Sequence, residues 1–329
     1  MSWFSGRAAM AALMLAALHP DMPANAQEYP SKPITIVLPL SAGTGMDLIA
    51  RRYAEKLTQS LGKPVIIENR PGAALMLAPA AVATAPADGY TLLVAVTGHF
   101  AALPILYKKI NYNADKDFAP IALYLKSPFV LVVNPELPVH SVPELIKLAK
   151  ESAIRLSYSS PGVGTMQHLS VESMKQNFGF DLMHVPYRST PQSVTDLVAG
   201  HIRVSLVEVG ASVPLIREGK LRALAVTSSS RLSALPDVPT FAEAAGAPGF
   251  EAVSWHGLVA PAATPREIVD KLHVEMKRIM ASPDMVKHVL DLGLIPFETP
   301  SIDGIQTYLA SEKEKWGSLV RKLGLEGSQ

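Results

Sequence analysis

The sequence predicts an α/β fold built as two lobes with mixed, largely parallel sheets, and three observations carry that prediction. Strand-like apolar runs alternate with amphipathic helical periods in two successive series. The chain has 329 residues, more than the roughly 250–300 at which one hydrophobic core usually stops growing. An apolar stretch from Ile121 to Val133 is interrupted by Lys126-Ser127-Pro128, as expected where one strand leaves the first lobe and the next enters the second.

The order of elements begins with an export signal. Arg7 precedes the apolar run Ala8 to Leu18, and Ala24-Asn25-Ala26 precedes Gln27 as a small-x-small cleavage site. The run is shorter than the ~20 residues of a membrane span, and Pro20 and Pro23 follow it. Residues 1–26 therefore read as a signal peptide, with the mature chain starting near Gln27.

Ile34 to Leu38 is a mostly apolar strand of the kind covered on both faces. Ile49, Tyr53, Leu57 and Leu61 then recur every four residues among Arg51, Arg52, Glu55 and Lys56, an amphipathic helix from about Asp47 that Gly62 stops. Val65 to Ile67 and Thr91 to Val96 supply two more strands, the latter after the Asp88-Gly89 turn. Beyond the crossover, Ser141 with Glu144, Thr240 with Glu243, and Thr264-Pro265 with Glu267 have the spacing of helix capping boxes. Short strands are expected near Leu156 to Ser159, Met183 to Tyr187, Val204 to Glu208 and Ala223 to Val226. Glu251 to Leu258 reads as a return strand into the first lobe, with helices following from about Pro265, Pro283 and Ser301. The first lobe is thus placed at 27–127 plus 253–329 and the second at 128–252, with two connections side by side as a hinge requires.

Composition narrows the functional classes. Lys+Arg number 30 against 29 Asp+Glu, so no broad basic field invites nucleic acid. The absence of cysteine removes disulfides, thiolate metal sites, cysteine nucleophiles and a lipoprotein anchor. The histidines are scattered and H-E-x-x-H does not occur, so neither a metal nor a cofactor is expected.

Two turns could carry binding. Leu40-Ser41-Ala42-Gly43-Thr44-Gly45-Met46-Asp47 lies between a strand end and a helix start, where free N–H groups and the positive helix end converge on ligands. The plain alternative is a turn capped by Thr44 or Asp47. Ser159-Ser160-Pro161-Gly162-Val163-Gly164-Thr165 holds the same position in the second lobe, before a helix beginning near Met166. If the two face each other, both offer neutral donors to an anion. A carboxylate at a helix start gains ~0.3–1 kcal/mol, up to ~2 when partly buried, and each charge-assisted hydrogen bond adds about 1.5–3 kcal/mol. Three such bonds approach the ~8 kcal/mol of a micromolar complex without a buried arginine.

His168 reads as a helix-start hydrogen bonder or ligand contact. Paired with Ser160 it could instead belong to a hydrolase, but no G-x-S-x-G elbow occurs and no acidic partner is marked. Tyr187, Arg188, Ser189 and Thr190 either border the cleft or cap a helix. Trp255 reads as a core or interlobe packing residue.

The segments Tyr29-Pro30-Ser31-Lys32-Pro33-Ile34, Ala42-Gly43 with Asp47 and Ala50-Arg51, Glu68-Asn69-Arg70-Pro71-Gly72-Ala73, and Asp88-Gly89-Tyr90-Thr91 are followed by Asp117-Phe118-Ala119-Pro120, Ser160-Pro161-Gly162-Val163-Gly164 with His168-Leu169, and His184-Val185-Pro186-Tyr187. Then come Gly219-Lys220-Leu221-Arg222-Ala223-Leu224-Ala225-Val226, Leu235-Pro236-Asp237-Val238-Pro239-Thr240, Trp255-His256-Gly257-Leu258 and Lys315-Trp316. In this order they resemble the substrate-binding receptors of tripartite tricarboxylate transporters, the Bug receptors.

The resemblance implies a type II, Venus-flytrap periplasmic binding protein, a monomer without catalysis. It would close on a small organic carboxylate and deliver it to the membrane components of a tripartite transporter. Carried over residue by residue, it points to Ser41, Ala42, Gly43 and Thr44, then to Ser160, Gly162, Gly164, Thr165 and His168; Met46, Asp47 and Tyr187 complete the expected ligand-binding set. The chain also departs from the family pattern. Thr44 stands for a usual glycine, Met46 for a small polar residue, Ala74-Leu75-Met76-Leu77-Ala78 for a glycine- and asparagine-rich stretch, Ser189 for a frequent glycine and Arg203 for an acidic residue. Met46, Leu75 and Met76 would make the cleft apolar enough for an aromatic or bulky carboxylate, unless they simply pack in the core. A receptor reporting to a membrane sensor and a carboxylate-ester hydrolase are the alternative readings.

Overall fold

A computed structural model describes residues 28–152, 156–187 and 190–329; the expected signal peptide, Arg188 and Ser189 lie outside the described residues. Along the chain the strands are β1 (Ile34–Leu38), β2 (Val65–Asn69), β3 (Thr91–Val96), β4 (Phe118–Ser127), β5 (Phe129–Val133), β6 (Ser157–Ser160), β7 (Met183–Pro186), β8 (Val204–Glu208), β9 (Arg222–Val226), β10 (Ser254–Pro261) and β11 (Ile295–Pro296). The helices are α1 (Gly45–Leu61), α2 (Leu77–Ala83), α3 (Leu103–Leu106), α4 (Val142–Glu151), α5 (Met166–Phe178), α6 (Thr190–Val198), α7 (Val209–Arg217), α8 (Phe241–Ala245), α9 (Arg266–Met280), α10 (Pro283–Asp291) and α11 (Ile302–Lys322).

The strands form two sheets, ordered β2-β1-β3-β10-β4-β11 and β7-β6-β8-β5-β9. The two orders repeat one plan. In each, the fourth place is filled by the strand that crosses from the other lobe, β10 in the first sheet and β5 in the second. The sheets are mixed as expected, but parallel pairing does not predominate. β1–β2, β1–β3, β6–β7 and β6–β8 are parallel, whereas all pairings of β10, β5 and β11 are antiparallel. The strand–helix alternation foretold the parallel pairs; a strand that enters from the opposite lobe runs the other way.

Both faces of both sheets are covered. In β1, Ile34, Ile36 and Leu38 pack with Ile49, Tyr53 and Leu57 of α1 and with Val269, Leu272 and Met276 of α9. The intervening Val37 faces a second cluster with Val82, Phe100, Trp255 and Ile305, as the period-two pleat demands. β5 divides likewise, Phe129, Leu131 and Val133 to one side and Val130 and Val132 to the other. Trp255 is fully buried with its ring centroid 5.9 Å from that of Phe100.

Local signals explain most element ends. Thr44 caps α1 by accepting the Asp47 N–H, and Gly62 ends the helix in the left-handed conformation with φ 70°. Thr240 and Glu243 close both halves of a capping box at 3.0 and 2.9 Å. Ser141 accepts the Glu144 N–H, but the Glu144 carboxylate takes the N–H of His140 instead. The third expected box does not form: α9 starts at Arg266 with Pro265 at its cap, which leaves Thr264 one residue too early to reach, its buried Oγ1 without a partner.

The chain passes from β4 to β5 through the single residue Pro128 and returns between β9 and β10. The connections touch. Phe129 N–H donates to Thr227 Oγ1 at 2.9 Å, Thr227 N–H to Phe129 O at 2.9 Å, and Lys126 lies 3.3 Å from Glu251. Ala101 to Leu103, Leu106 and, from α11, Trp316 and Val320 pack in one cluster with Leu169 and Met174 of α5, so the last helix bridges the two sheets. No helix among the described residues is long and apolar enough to cross a membrane.

Candidate ligand-binding cleft

α1 follows β1 and α5 follows β6, and the starts of both helices border one cavity of about 70 Å³ between the sheets. Leu40 and Met46 reach it from the first turn; Pro161, Gly164, Thr165, Met166 and Gln167 reach it from the second. Both helices are long enough for the N–H groups of their first turn to lack intrahelical acceptors and for the macrodipole to favour an anion there.

The first turn is braced from beneath. Asp47 is 2% exposed and accepts the Gly43 N–H and Arg51 Nε, each at 2.9 Å, and Asn69 Nδ2 at 3.0 Å. Asn69 Nδ2 also donates to Leu40 O at 2.9 Å, and Thr44 Oγ1 to Ser41 O at 3.0 Å. Burial alone would raise the Asp47 pKa; the hydrogen bonds from Arg51, Gly43 and Asn69 outweigh it and hold the carboxyl below the usual carboxylate range. Asp47 and the Gly43 N–H are thus engaged with each other, and the carboxylate shapes the turn.

The second turn is fixed by a stack of rings. Gly164 N–H donates to His168 Nδ1 at 3.2 Å, which leaves that nitrogen unprotonated and makes the imidazole a bracket for the turn. The His168 ring centroid lies 4.2 Å from that of His184, and His184 lies 4.9 Å from Tyr158. Burial brings both histidines down to about 4, so both are neutral near pH 7. Ser160 Oγ sits 2.7 Å from His184 Nε2 and accepts the Gly162 N–H at 3.1 Å; Thr165 Oγ1 donates to Gly162 O at 2.7 Å.

Of the residues expected from sequence, Met46, Gly164 and Thr165 line the cavity. Ser41, Ala42 and Gly43 are exposed along the first turn, and Thr44 and Gly162 are half-buried at their turns; none of these five is among the cavity walls. Asp47, Ser160 and His168 stand behind the walls as supports, with Ser160 fully buried. Tyr187 is half-buried, its hydroxyl donating to Asp196 at 2.8 Å. Leu75 lines the cavity, while Met76 packs between core clusters.

Sequence reasoning passed over Gln167, Glu208, Ser254 and His256, which also line the cavity. Glu208 ends β8, at the same strand edge as the two turns, but without a glycine pattern to mark it. Ala74 and Leu75 form another wall, within the segment Gly72-Ala73-Ala74-Leu75, whose φ values are 120°, 46°, 51° and 73°. Three non-glycine residues in the left-handed region carry roughly 1–2 kcal/mol of strain each. His99 holds the segment through Nε2, 3.1 Å from Leu75 O.

Comparison with known proteins agrees with this architecture. Residues 49–325 match the family described as Tripartite tricarboxylate transporter family receptor. The chain is 37% identical over 305 residues to the UPF0065 protein in the tcbD-tcbE intergenic region of Pseudomonas sp. strain P51, covering 92% of this chain and 89% of that protein. It is 33% identical to Protein BugT of Bordetella pertussis, covering 92% of each. Among solved structures, Rpa4515 of R. palustris with adipate superposes with a TM-score of 0.84 at 32% identity, covering 90% of this chain and 99% of that one. MatC of Rhodopseudomonas palustris with bound malate gives 0.80 at 32% identity, covering 89% and 100%.

Proposed function

We propose a function from one premise: this chain belongs to the tripartite tricarboxylate transporter receptor family, whose members are periplasmic solute-binding proteins. The protein captures a small organic carboxylate and presents it to the membrane components of a tripartite transporter. The observation that carries this reading is the convergence of two helix starts, from separate sheets, on one cavity. Solved relatives holding adipate and malate support the ligand class.

The cavity is far smaller than the ~300–1,000 Å³ of pockets for drug-sized ligands. Opening of the lobes must therefore accompany ligand entry, and the ligand favours the closed form because only there do both helix starts touch it. The paired connections at Pro128 and Thr227 are the hinge. Export follows from residues 1–26, and mass spectrometry of the secreted protein should find a mature chain beginning near Gln27.

Catalysis is not part of this reading. Ser160 and His184 are hydrogen-bonded, but the hydroxyl is fully buried, and an imidazole held near 4 is a weak base at neutral pH. Its partner is His184, and His168 is occupied with Gly164.

A thermal-shift screen of aliphatic and aromatic mono- and dicarboxylates tests the function. A ligand at a hundred times its Kd should stabilise the protein by about 2.7 kcal/mol, several degrees in Tm. The apolar walls at Leu40, Met46, Leu75 and Phe129 favour bulky acids; stabilisation by small aliphatic acids alone would reject that preference, and no stabilisation by any acid would reject the carboxylate reading itself.

A further inference from the structure

One buried ring in the cleft is not held by the fold. His256 lines the cavity and is 6% exposed, and its Nδ1 is sealed from solvent without a hydrogen-bond partner. The other two histidines buried to this degree among the described residues are both tied down: His99 links the Val96 N–H to Leu75 O, and His168 receives the Gly164 N–H. β10 presents His256 and Ser254 on one face, as the period-two pleat requires, and Ser254 lies opposite Ser127 of β4 at the same cavity. Gln167, the second residue of α5, is 7% exposed and also lines it; its amide makes no hydrogen bond with any described residue. The cavity thus sets apolar walls at Leu40, Met46, Leu75 and Phe129 beside an imidazole and an amide that the fold leaves unused. Buried polar groups are ordinarily satisfied, and an acid held by the helix starts alone would shut both away without a partner.

The tautomer follows from the surroundings. Burial brings the His256 imidazole down to about 3, so near pH 7 one ring nitrogen carries a proton and the other does not. A proton on Nδ1 would be a sealed donor with no acceptor, rarer in proteins than an unmet acceptor; on Nε2 it lies at the ring edge that faces the cavity. We propose that His256 is a ligand-binding residue whose Nε2–H, together with the Gln167 amide, grips a second oxygen of the ligand, apart from the carboxylate at the helix starts. The proposal rests on the carboxylate reading and narrows it to acids that carry a further oxygen acceptor, a hydroxyl or another carboxyl group. A site built to meet such an oxygen discriminates strongly against acids without it, because their binding leaves the imidazole and the amide unpaired.

The test is isothermal titration of the mature protein with two matched series: hexanoate, 6-hydroxyhexanoate and adipate; benzoate, 4-hydroxybenzoate and terephthalate. In at least one series a member with the second oxygen should bind about 10- to 100-fold more tightly than the member without it, and the hydroxyl and carboxyl arms show which kind of oxygen is met. His256→Phe, which keeps a ring but no N–H, should remove most of that gap while hexanoate or benzoate binds as before, and Gln167→Leu should narrow it. No gap in either series, a gap unchanged in His256→Phe, or an equal loss for every acid in that variant overturns the proposal and leaves the carboxylate reading standing. Binding of none of the acids by the parent overturns both. Imidazole nitrogen NMR of the parent gives a readout that does not depend on the variant folding. It should find His256 protonated at Nε2 and that nitrogen shifted on adding the tightest-binding acid; a proton on Nδ1, or no shift, overturns the assignment.

Discussion

Replacing Asp47 with alanine is expected to lower stability by about 2–4 kcal/mol and to abolish detectable carboxylate binding. The carboxylate is buried and receives three hydrogen bonds, two from side chains and one from the main chain. Hydrogen bonds to charged groups contribute about 1.5–3 kcal/mol each, and the exposure of Arg51 reduces the ionic share. Without the acceptor, the Gly43 N–H loses its partner and Asn69 keeps Leu40 O but no longer ties it to α1 through Asp47, so the turn from Leu40 to Thr44 loosens at the mouth of the cleft.

The effect carries a pH signature. Since folding depresses the Asp47 pKa below its ordinary value of 3.8, its contribution is present above that value and disappears as pH falls through the folded one. Urea denaturation of the parent and Asp47→Ala should show the full gap at pH 7 and a shrinking one below pH ~4. A gap independent of pH would mean that the side chain fills space without acting as a charged acceptor.

Gly164→Ala is expected to be nearly as damaging, for steric reasons. The residue has φ +81°, and an added Cβ would lie 2.2 Å from Leu106 Cδ2 and 3.4 Å from Leu103 Cδ2. Leu106 is fully buried, so its side chain cannot swing away freely. Backbone strain of roughly 1–2 kcal/mol adds to an overpacking cost of about 1–3 kcal/mol. The turn would separate from α3, and the Gly164 hydrogen bond to His168 would lengthen. Gly162→Ala is the control: its φ is +139°, but the nearest atom to an added Cβ is Thr165 Cγ2 at 4.0 Å, so it should lose only the backbone part. Leu106→Ala combined with Gly164→Ala should recover about 1 kcal/mol relative to additivity; strict additivity would locate the damage in the backbone alone.

The repeating strand–helix pattern made the two-sheet fold legible, because β1, β3 and β5 carry apolar runs and α1 a four-residue period that periodicity reads directly. The two turns were legible for the same reason, since strand end, glycine and cap residue stand together in sequence. The roles within them were not. Asp47 and His168 look like binders by residue type, yet each faces its own turn through a hydrogen bond that only the three-dimensional path of the chain defines. Glu208 and His256 were invisible because each ends or sits inside an ordinary strand, and it is the crossing of β5 and β10 that brings those strands to the cavity.

That exchange of strands also governs the order of assembly. Every strand of the second sheet comes from the unbroken stretch Phe129 to Val226, whereas the first sheet lacks any direct contact between β3 and β4 until β10 is inserted between them. As the chain emerges from the amino end, the strands of the later sheet are all present while the earlier one still waits as two fragments. Shortening the chain before Ser254 would consequently keep every strand of the second sheet, though without the cover of Trp316 and Val320, and split the first sheet in two.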